Sequence, residues 1–182
     1  MLTVKDKTFV PFINQTTIES RIAELANQIN QDYSGKEPFL VIVLNGAFMF
    51  GAELMKNLTI ACRVTFIRVG SYQKTESTGV VREILGLTES LTGEDVILLE
   101  DIVDTGLTIQ QVRQQIETHN PASLAIATLL FKPTALKTEV DLSYVGFEIE
   151  DQFVLGFGLD YDGFGRNTKE ILVLEENHKE AV

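Results

Sequence analysis

An α/β fold with a doubly wound, mostly parallel sheet is predicted by two features of the sequence. Phe39–Leu44, Val96–Leu99 and Ser123–Phe131 are short apolar runs rich in Val, Ile and Leu, which is typical of strands covered on both faces. Segments with apolar residues at helical spacing lie between them. Strands that alternate with helices in this way usually form a parallel sheet, because each strand is reached by a crossover connection.

The first helix is predicted near the amino terminus. Thr16 to Glu19 matches a capping box, in which a Thr side chain and a Glu side chain satisfy free N–H groups at a helix start. Helical spacing continues until Ser34-Gly35 and places these residues on one face: Ile18, Ile22, Leu25, Ile29 and Tyr33.

The later elements follow from the same patterns. Asn45-Gly46 ends the first apolar run, so a helix is predicted over Ala47 to Asn57, and Cys62 to Val69 predicts a further strand. After Val96–Leu99, a polar loop is predicted from Glu100, and then a helix from about Thr108 to Thr118. The carboxy-terminal third is strand-rich and is expected to pack on or beside the core, with strands predicted at Tyr144 to Phe147, Phe153 to Asp160 and Glu170 to Leu174.

The polar segment Gly70 to Gly79 lies between two strand-like segments. It fits either a lid over a binding site or a long hairpin loop, and its composition favours the hairpin.

Composition limits the classes of function. A chain of 182 residues suits one domain spanning residues 1–182. Cys62 is the sole cysteine, and its apolar neighbours indicate a packed thiol in a reducing compartment. Neither a signal-like start nor an apolar stretch of about 20 residues is present, so we expect a cytoplasmic protein without membrane contact. The net charge of −11 argues against nucleic acid, although a small anion could be held locally.

The segment VILLEDIVDTGLT carries the clearest chemistry. A loop after a parallel strand lies where ligands bind in open α/β sheets. The N–H groups and dipole of the following helix favour a phosphate, and Thr105 and Thr108 add hydroxyl donors. Gly106 permits a close backbone approach. Glu100 and Asp101 are acceptors suited to ribose hydroxyls or to hydrated Mg²⁺. The alternative is an ordinary strand-loop-helix in which Asp104 caps the helix and the other acids are solvated.

This segment resembles the signature of the type I phosphoribosyltransferases, in which two acids precede a D-T-G-x-T phosphate loop. Further matches resemble the hypoxanthine-guanine phosphoribosyltransferases and occur in the family's order: Leu44-Asn45-Gly46, Ser71-Tyr72 with Ser77-Thr78-Gly79, Lys132-Pro133, and VGFEIEDQFVLGFGLDYDGFGR over residues 145–166. The similarity covers about residues 39–174. It implies a doubly wound sheet with a small strand-rich hood.

The resemblance also implies the roles of the sugar-phosphate residues. Thr105, Gly106, Leu107 and Thr108 would hold the 5′-phosphate of phosphoribosyl pyrophosphate. Glu100 and Asp101 would face the ribose hydroxyls and a Mg²⁺ ion with its water shell. Asp160 would bind a second Mg²⁺, and Arg166 would contact the pyrophosphate.

The same resemblance implies a site for a 6-oxopurine base. Asp104 would accept a proton from the purine, Lys132 would donate to its 6-oxo group, Phe153 would stack on the ring, and the Val154 backbone would contact its edge. On sequence alone, however, a solvated Lys132 and a core Phe153 are the simpler interpretations. The residues 71–79, including Ser71 and Tyr72, would close over the site and exclude water.

One position departs from the pattern. Many relatives have Lys or another residue type where this chain has Asn45, before a Gly in a pyrophosphate-binding turn whose peptide bond is often cis. Asn offers hydrogen bonds without the charge, so the pyrophosphate contact at Asn45 and Gly46 is expected to run through the backbone. Asp160 to Glu170 does not fit a calcium loop, because Phe164 and Ile171 occupy ligand positions.

The implied function is purine salvage, in which a phosphoribosyl group moves to hypoxanthine or guanine. The family also implies a homodimer or homotetramer. Two rivals stay open at this stage: a nucleotide-sensing regulator on the same fold, and a phosphoribosyltransferase for another base, with xanthine the strongest alternative.

Overall fold

A computed structural model of the chain describes residues 1–72 and 81–175, with the side chains of residues 70–72 and 81–85 outside that description. The described residues form two sheets and three α-helices. The strands of the larger sheet are β3 (Phe39–Leu44), β4 (Arg63–Tyr72), β5 (Val81–Leu85), β6 (Asp95–Val103), β7 (Ser123–Phe131) and β8 (Tyr144–Glu148). The strands of the smaller sheet are β1 (Leu2–Val4), β2 (Lys7–Ile13), β9 (Val154–Leu155) and β10 (Ile171–Leu174).

The larger sheet has the order β5-β4-β3-β6-β7-β8. Every neighbouring pair in it is parallel except β4 with β5, which is antiparallel. The chain passes from β3 to β4 on one side and later returns with β6 on the other side of β3. The prediction of a mostly parallel sheet is therefore confirmed, and the point where the strand order reverses lies between β3 and β6.

Helices cover both faces of this sheet. The helices are α1 (Gln15–Asp32), α2 (Phe48–Asn57) and α3 (Leu107–Glu117). Leu40 and Ile42 of β3 belong to the core cluster that contains α1 and α2, whereas Val41 belongs to the cluster that contains α3. Alternate side chains of one strand thus pack against different helices, as in a doubly wound fold.

The smaller sheet is antiparallel and joins the two ends of the described chain. Its order is β1-β2-β10-β9, so the amino-terminal hairpin pairs with the carboxy-terminal strand. Ile171 and Val173 pack into the same core as α1 and α2. This sheet corresponds to the predicted hood.

The predicted capping box was wrong. Thr16 lies inside α1, and the N-cap is Asn14, which has extended backbone angles. The Thr17 N–H donates to Asn14 Oδ1 at 2.9 Å. Asn is as good an N-cap as Ser or Thr, so the helix begins two residues earlier than the capping-box match indicated.

Two strand boundaries also differ from the prediction. The polar loop expected from Glu100 begins only after Val103, because pairing with β7 continues to Val103 opposite Phe131. The strand expected over Phe153 to Asp160 is limited to Val154–Leu155, since Gly156 and Phe157 both have positive φ and turn the chain out of the sheet. Tyr144 to Phe147 forms β8 and joins the larger sheet.

The lone cysteine is structural. Cys62 is half-buried and packs against the core of α1 and α2, and burial raises the pKa of its thiol. Among the described residues, no helix combines the length and the apolar character needed to cross a membrane.

The cap provides a test of the fold. We expect Asn14→Ala to lower the free energy of unfolding by about 1 kcal/mol, because it removes the acceptor of the Thr17 N–H. The matched control is Thr16→Ala, which should change stability much less since Thr16 lies within the helix. Chemical denaturation of both variants measures this difference, and a larger loss for Thr16→Ala would contradict the assignment.

Candidate functional site

A cleft of about 380 Å³ opens at the carboxyl ends of β3 and β6. This is the place where an open α/β sheet binds ligands, because the connections after the two strands lead in different directions. Its lining includes most of the predicted sugar-phosphate residues: Gly46, Glu100, Asp101, Asp104, Thr105, Gly106, Thr108, Asp160 and Arg166. A larger cavity of about 780 Å³ lies elsewhere, beside the start of α1, and shares no lining residue with this cleft.

The turn after β3 lies against Asp101 of the neighbouring strand β6. The Leu44–Asn45 peptide bond is cis, as the resemblance implied. A Cβ atom placed on Gly46 would overlap the carboxylate of Asp101, so any other residue at position 46 would require this side chain to move. The predicted pyrophosphate turn and the predicted metal-binding acids are therefore in direct contact.

Glu100 is a buried carboxyl at the end of a buried strand. It is 8% exposed. Burial raises the pKa of the Glu100 carboxyl well above its usual value, and the charge of neighbouring Asp101 raises it further. Asp101 is more accessible, and one of its oxygens accepts the Ile102 N–H at 2.9 Å. Two adjacent carboxylates at one end of the cleft make a concentrated negative site.

These two acids fit a magnesium ion. Neither forms an ion pair with a Lys or Arg of the described chain. Within residues 1–72 and 81–175, no cluster of three or more Asp, Glu, His or Cys side chains has metal-binding geometry. Mg²⁺ does not need such a cluster, because it is usually held by one or two carboxylates, several waters and substrate phosphates. The donor set agrees with that pattern.

The phosphate loop lies at the amino end of α3. Gly106 is the N-cap residue, with φ of 78°, and as a glycine it offers no side chain to cap the helix. Asp104 is thus not at the N-cap position, and its carboxylate pairs with Lys132. The Lys137 N–H donates to the Thr105 carbonyl at 3.0 Å and fixes the loop against the segment after β7. The positive end of the helix dipole faces the cleft, which favours an anion there.

Lys132 is buried between two aspartates. Its side chain is only 7% exposed, so the interpretation of a solvated lysine was wrong. Its Nζ lies 3.1 Å from Asp104 Oδ2 and 3.1 Å from Asp151 Oδ1. The two residues predicted to handle the base, Asp104 and Lys132, are thus in contact.

Phe153 belongs to a cluster of aromatic rings at the edge of the smaller sheet. Its ring centroid lies 6.0 Å from that of Phe9 and 5.8 Å from that of Tyr161, which is edge-on. Phe153 is 40% exposed, so the interpretation as a core aromatic was wrong. A ring that is supported from two sides and half open to solvent can accept a planar ligand. Val154, by contrast, is buried.

Asp160 and Arg166 form an ion pair at the opposite side of the cleft. Arg166 Nη2 lies 2.5 Å from Asp160 Oδ1, and the Gly163 N–H donates to Asp160 Oδ2 at 2.6 Å. Arg166 Nη1 also donates to the Gly158 carbonyl at 2.6 Å. Both carboxylate oxygens of Asp160 are engaged here, so binding of a second Mg²⁺ by Asp160 would require exchange of these partners.

Part of the predicted site cannot be compared with the structure. The β4 backbone reaches Ser71 and Tyr72, but their side chains and the segment Ser77-Thr78-Gly79 lie outside the described residues. Sequence reasoning also missed Asp151. Its only signal was an acid two residues before the predicted stacking residue Phe153.

The chain is similar to known proteins over most of its length. The sequence model of the phosphoribosyl transferase domain matches residues 13–162. A hypoxanthine-guanine phosphoribosyltransferase of Mycobacterium bovis is 40% identical over 165 residues, which cover 87% of this chain and 82% of that protein. A hypoxanthine phosphoribosyltransferase of Salmonella typhimurium is 43% identical over 152 residues, which cover 82% and 85%. The crystal structure of a Staphylococcus aureus hypoxanthine phosphoribosyltransferase superposes with a TM-score of 0.85 at 36% identity, covering 91% of each chain.

The burial of Glu100 predicts a change of stability with pH. A carboxyl whose pKa is raised by folding stabilises the folded state below its unfolded value, here 4.5, and this contribution is lost as pH rises through the folded value. We therefore expect Glu100→Gln to raise the melting temperature of the metal-free protein, with a difference that widens as pH rises above 4.5, the unfolded value of this pKa. Thermal unfolding in EDTA measures it, and a difference independent of pH would contradict the prediction.

Proposed function

The chain belongs to the phosphoribosyl transferase domain family, and from this membership we propose that it is a purine salvage enzyme. It transfers the 5-phosphoribosyl group of phosphoribosyl pyrophosphate to hypoxanthine and/or guanine, giving IMP or GMP and pyrophosphate. The observation that carries the proposal is identity of about 40% to hypoxanthine(-guanine) phosphoribosyltransferases over more than four fifths of the chain. The cleft at the ends of β3 and β6 supports it.

The sugar phosphate binds along the Glu100 to Thr108 segment. The amino end of α3 and the backbone of Thr105 to Thr108 hold the 5′-phosphate, because helix dipole and N–H groups both favour an anion. Glu100 and Asp101 face the ribose hydroxyls. These two acids would also hold Mg²⁺, which when bound would supply Lewis-acid stabilisation of negative charge on the pyrophosphate.

The base binds between Lys132 and Phe153. Lys132 donates to oxygen 6, which favours hypoxanthine and guanine over adenine, since an amino group at that position cannot accept a hydrogen bond from an ammonium. Phe153 stacks on the ring, and its exposure of 40% supports this role. The Val154 backbone contacts the purine edge.

Acceptance of the purine proton and binding of the charged pyrophosphate are assigned to separate residues. Asp104 accepts the purine proton as the ring nitrogen attacks C1′, and its carboxylate is 46% exposed on the cleft. Arg166 attracts the pyrophosphate, since its guanidinium matches phosphate oxygens. Asn45 and Gly46 contact the leaving group mainly through uncharged donors, and the segment that begins at Ser71 and Tyr72 closes over the site. Asp160 would hold a second Mg²⁺, for which it would have to exchange its pairing with Arg166.

We further propose a cytoplasmic homodimer or homotetramer. The single cysteine suits a reducing compartment, and the net charge of −11 does not favour nucleic acid as a partner. Sedimentation of the purified chain measures the state of assembly.

The central test is a steady-state assay with phosphoribosyl pyrophosphate, Mg²⁺ and hypoxanthine, guanine, xanthine or adenine in turn. We expect turnover of hypoxanthine and/or guanine, none of adenine, and loss of turnover in EDTA that returns with added Mg²⁺. Absence of turnover with every base, despite binding of the sugar phosphate, would instead support a nucleotide-sensing regulator.

The proposed base is tested by Asp104→Asn. We expect this variant to lower kcat by about 100-fold or more with little change in KM for phosphoribosyl pyrophosphate, because an amide cannot accept the purine proton. The isosteric Asn retains the shape of the loop. Turnover equal to that of the wild type would remove Asp104 from the proton-accepting role.

A further inference from the structure

The ammonium of Lys132 is shared between two carboxylates that reach it from different parts of the fold. Asp104 follows β6, and Asp151 lies in the connection from β8 to β9, between the larger sheet and the hood. Both acids lie 3.1 Å from Nζ. The sugar-phosphate loop and the hood therefore meet at this one buried lysine.

The backbone around this trio is fixed at both ends. The Lys132 N–H donates to the Val103 carbonyl at 2.9 Å, which ties the lysine to the end of β6. The Ile149 N–H donates to the Phe131 carbonyl at 2.8 Å, which ties the connection carrying Asp151 to the end of β7. The position of Asp151 beside Lys132 is thus set by hydrogen bonds within the fold, although its own side chain is 65% exposed.

We propose that Asp151 is a positioning residue of the base site. It holds the Lys132 ammonium between two carboxylates, so that the third N–H is directed to oxygen 6 of the purine and Asp104, no longer the single counter-ion of the lysine, can accept the purine proton. The inference rests on the proposed function, which assigns oxygen 6 to Lys132 and the proton to Asp104.

The argument follows from the donors of an ammonium. Lys132 has three N–H groups, of which two are directed to the aspartates, so one remains for a ligand. A lysine is a compact charge on a flexible stem, and its location is therefore decided by its acceptors. Without Asp151, the buried ammonium would keep Asp104 as its single acidic partner among the described residues. The pair would then be neutral, and the group assigned to proton transfer would be held by the lysine.

Stability is not the expected role of Asp151. Most of the Asp151 side chain is in solvent, and the buried Lys132 keeps Asp104 as a partner when Asp151 is replaced, so little folding free energy should be lost. Loss of Asp151 should therefore weaken the binding and turnover of the base. It should leave the melting temperature and the binding of the sugar phosphate unchanged.

The test is Asp151→Asn, which keeps the shape of the side chain and removes its charge. We expect a rise in KM for hypoxanthine or guanine and a fall in kcat, together reducing kcat/KM for the base by about 3- to 30-fold, with KM for phosphoribosyl pyrophosphate unchanged. Asp151→Glu should recover most of the loss. The matched control is Glu150→Gln, which removes the same charge one residue away, at an exposed side chain with no contact to Lys132 among the described hydrogen bonds and ion pairs.

A binding measurement separates this inference from the proposed function. Calorimetric titration with GMP and with ribose 5-phosphate compares a ligand that has the base with one that lacks it. We expect Asp151→Asn to weaken GMP several-fold and to leave ribose 5-phosphate unchanged. Failure of the wild type to turn over any 6-oxopurine would overturn the proposed function and, with it, this inference.

Other results overturn the inference while the function stands. In each, the wild type is active. In the first, Asp151→Asn leaves the base KM and the GMP affinity unchanged, and in the second, it weakens GMP and ribose 5-phosphate equally. In the third, Glu150→Gln causes the same loss of base affinity as Asp151→Asn. The last result would show a long-range effect of charge and not a contact with Lys132.

Discussion

Parallel pairing of β3 with β6 brings the ends of two buried strands side by side, and the cleft is built outward from this pair. The two strands stay paired to Ile42 opposite Leu99. Beyond that point β3 follows β4 and β6 follows β7, so a crevice opens between them. Gly46 and Asp101 both line this crevice, and a side chain at position 46 would displace the Asp101 carboxylate. A shift in this pairing would displace the pyrophosphate turn and the acids together.

The burial that stabilises these strands also makes it unfavourable, in free energy, to place a charged carboxylate at the site. Each fully buried Leu, Ile or Val contributes about 1.5–3 kcal/mol, and Leu40, Val41, Ile97 and Leu98 are all inaccessible to solvent. At the end of this apolar run, Glu100 is buried as well, and the raised pKa of its carboxyl reports the penalty. A run of such apolar residues contributes enough to offset one buried acid. The acid is thereby held at the cleft, where the proposed function assigns it to Mg²⁺ and the ribose.

The base side is assembled differently, from parts that are distant in the sequence. Lys132 follows β7, Asp151 and Phe153 flank the start of the hood, and the Phe153 ring rests on Phe9 of the amino-terminal hairpin. The hood packs into the same core as α1 and α2, so its position relative to the sheet is fixed by apolar contact. Lys132 joins the two regions through its pair of aspartates. In the proposed reaction, recognition of the base and transfer of its proton would therefore both depend on this one ammonium.

The sequence by itself determined the elements and the chemistry of the sugar-phosphate side. Phe39–Leu44 and Ser123–Phe131 were predicted with their observed bounds, because burial on both faces leaves an unbroken apolar run. Glu100 to Thr108 was recognised because its residues are consecutive. Only the tertiary structure decided that β8 joins the larger sheet, that Asn14 caps α1, and that Lys132 is buried between Asp104 and Asp151. The contacts of β8 and of Lys132 join residues that are far apart in the chain. Strand order and packing bring these residues together, and no local sequence pattern specifies either one. The cap is a local contact, but Asn14 and Thr16 both suit an N-cap, so only the backbone angles of the folded helix distinguish them.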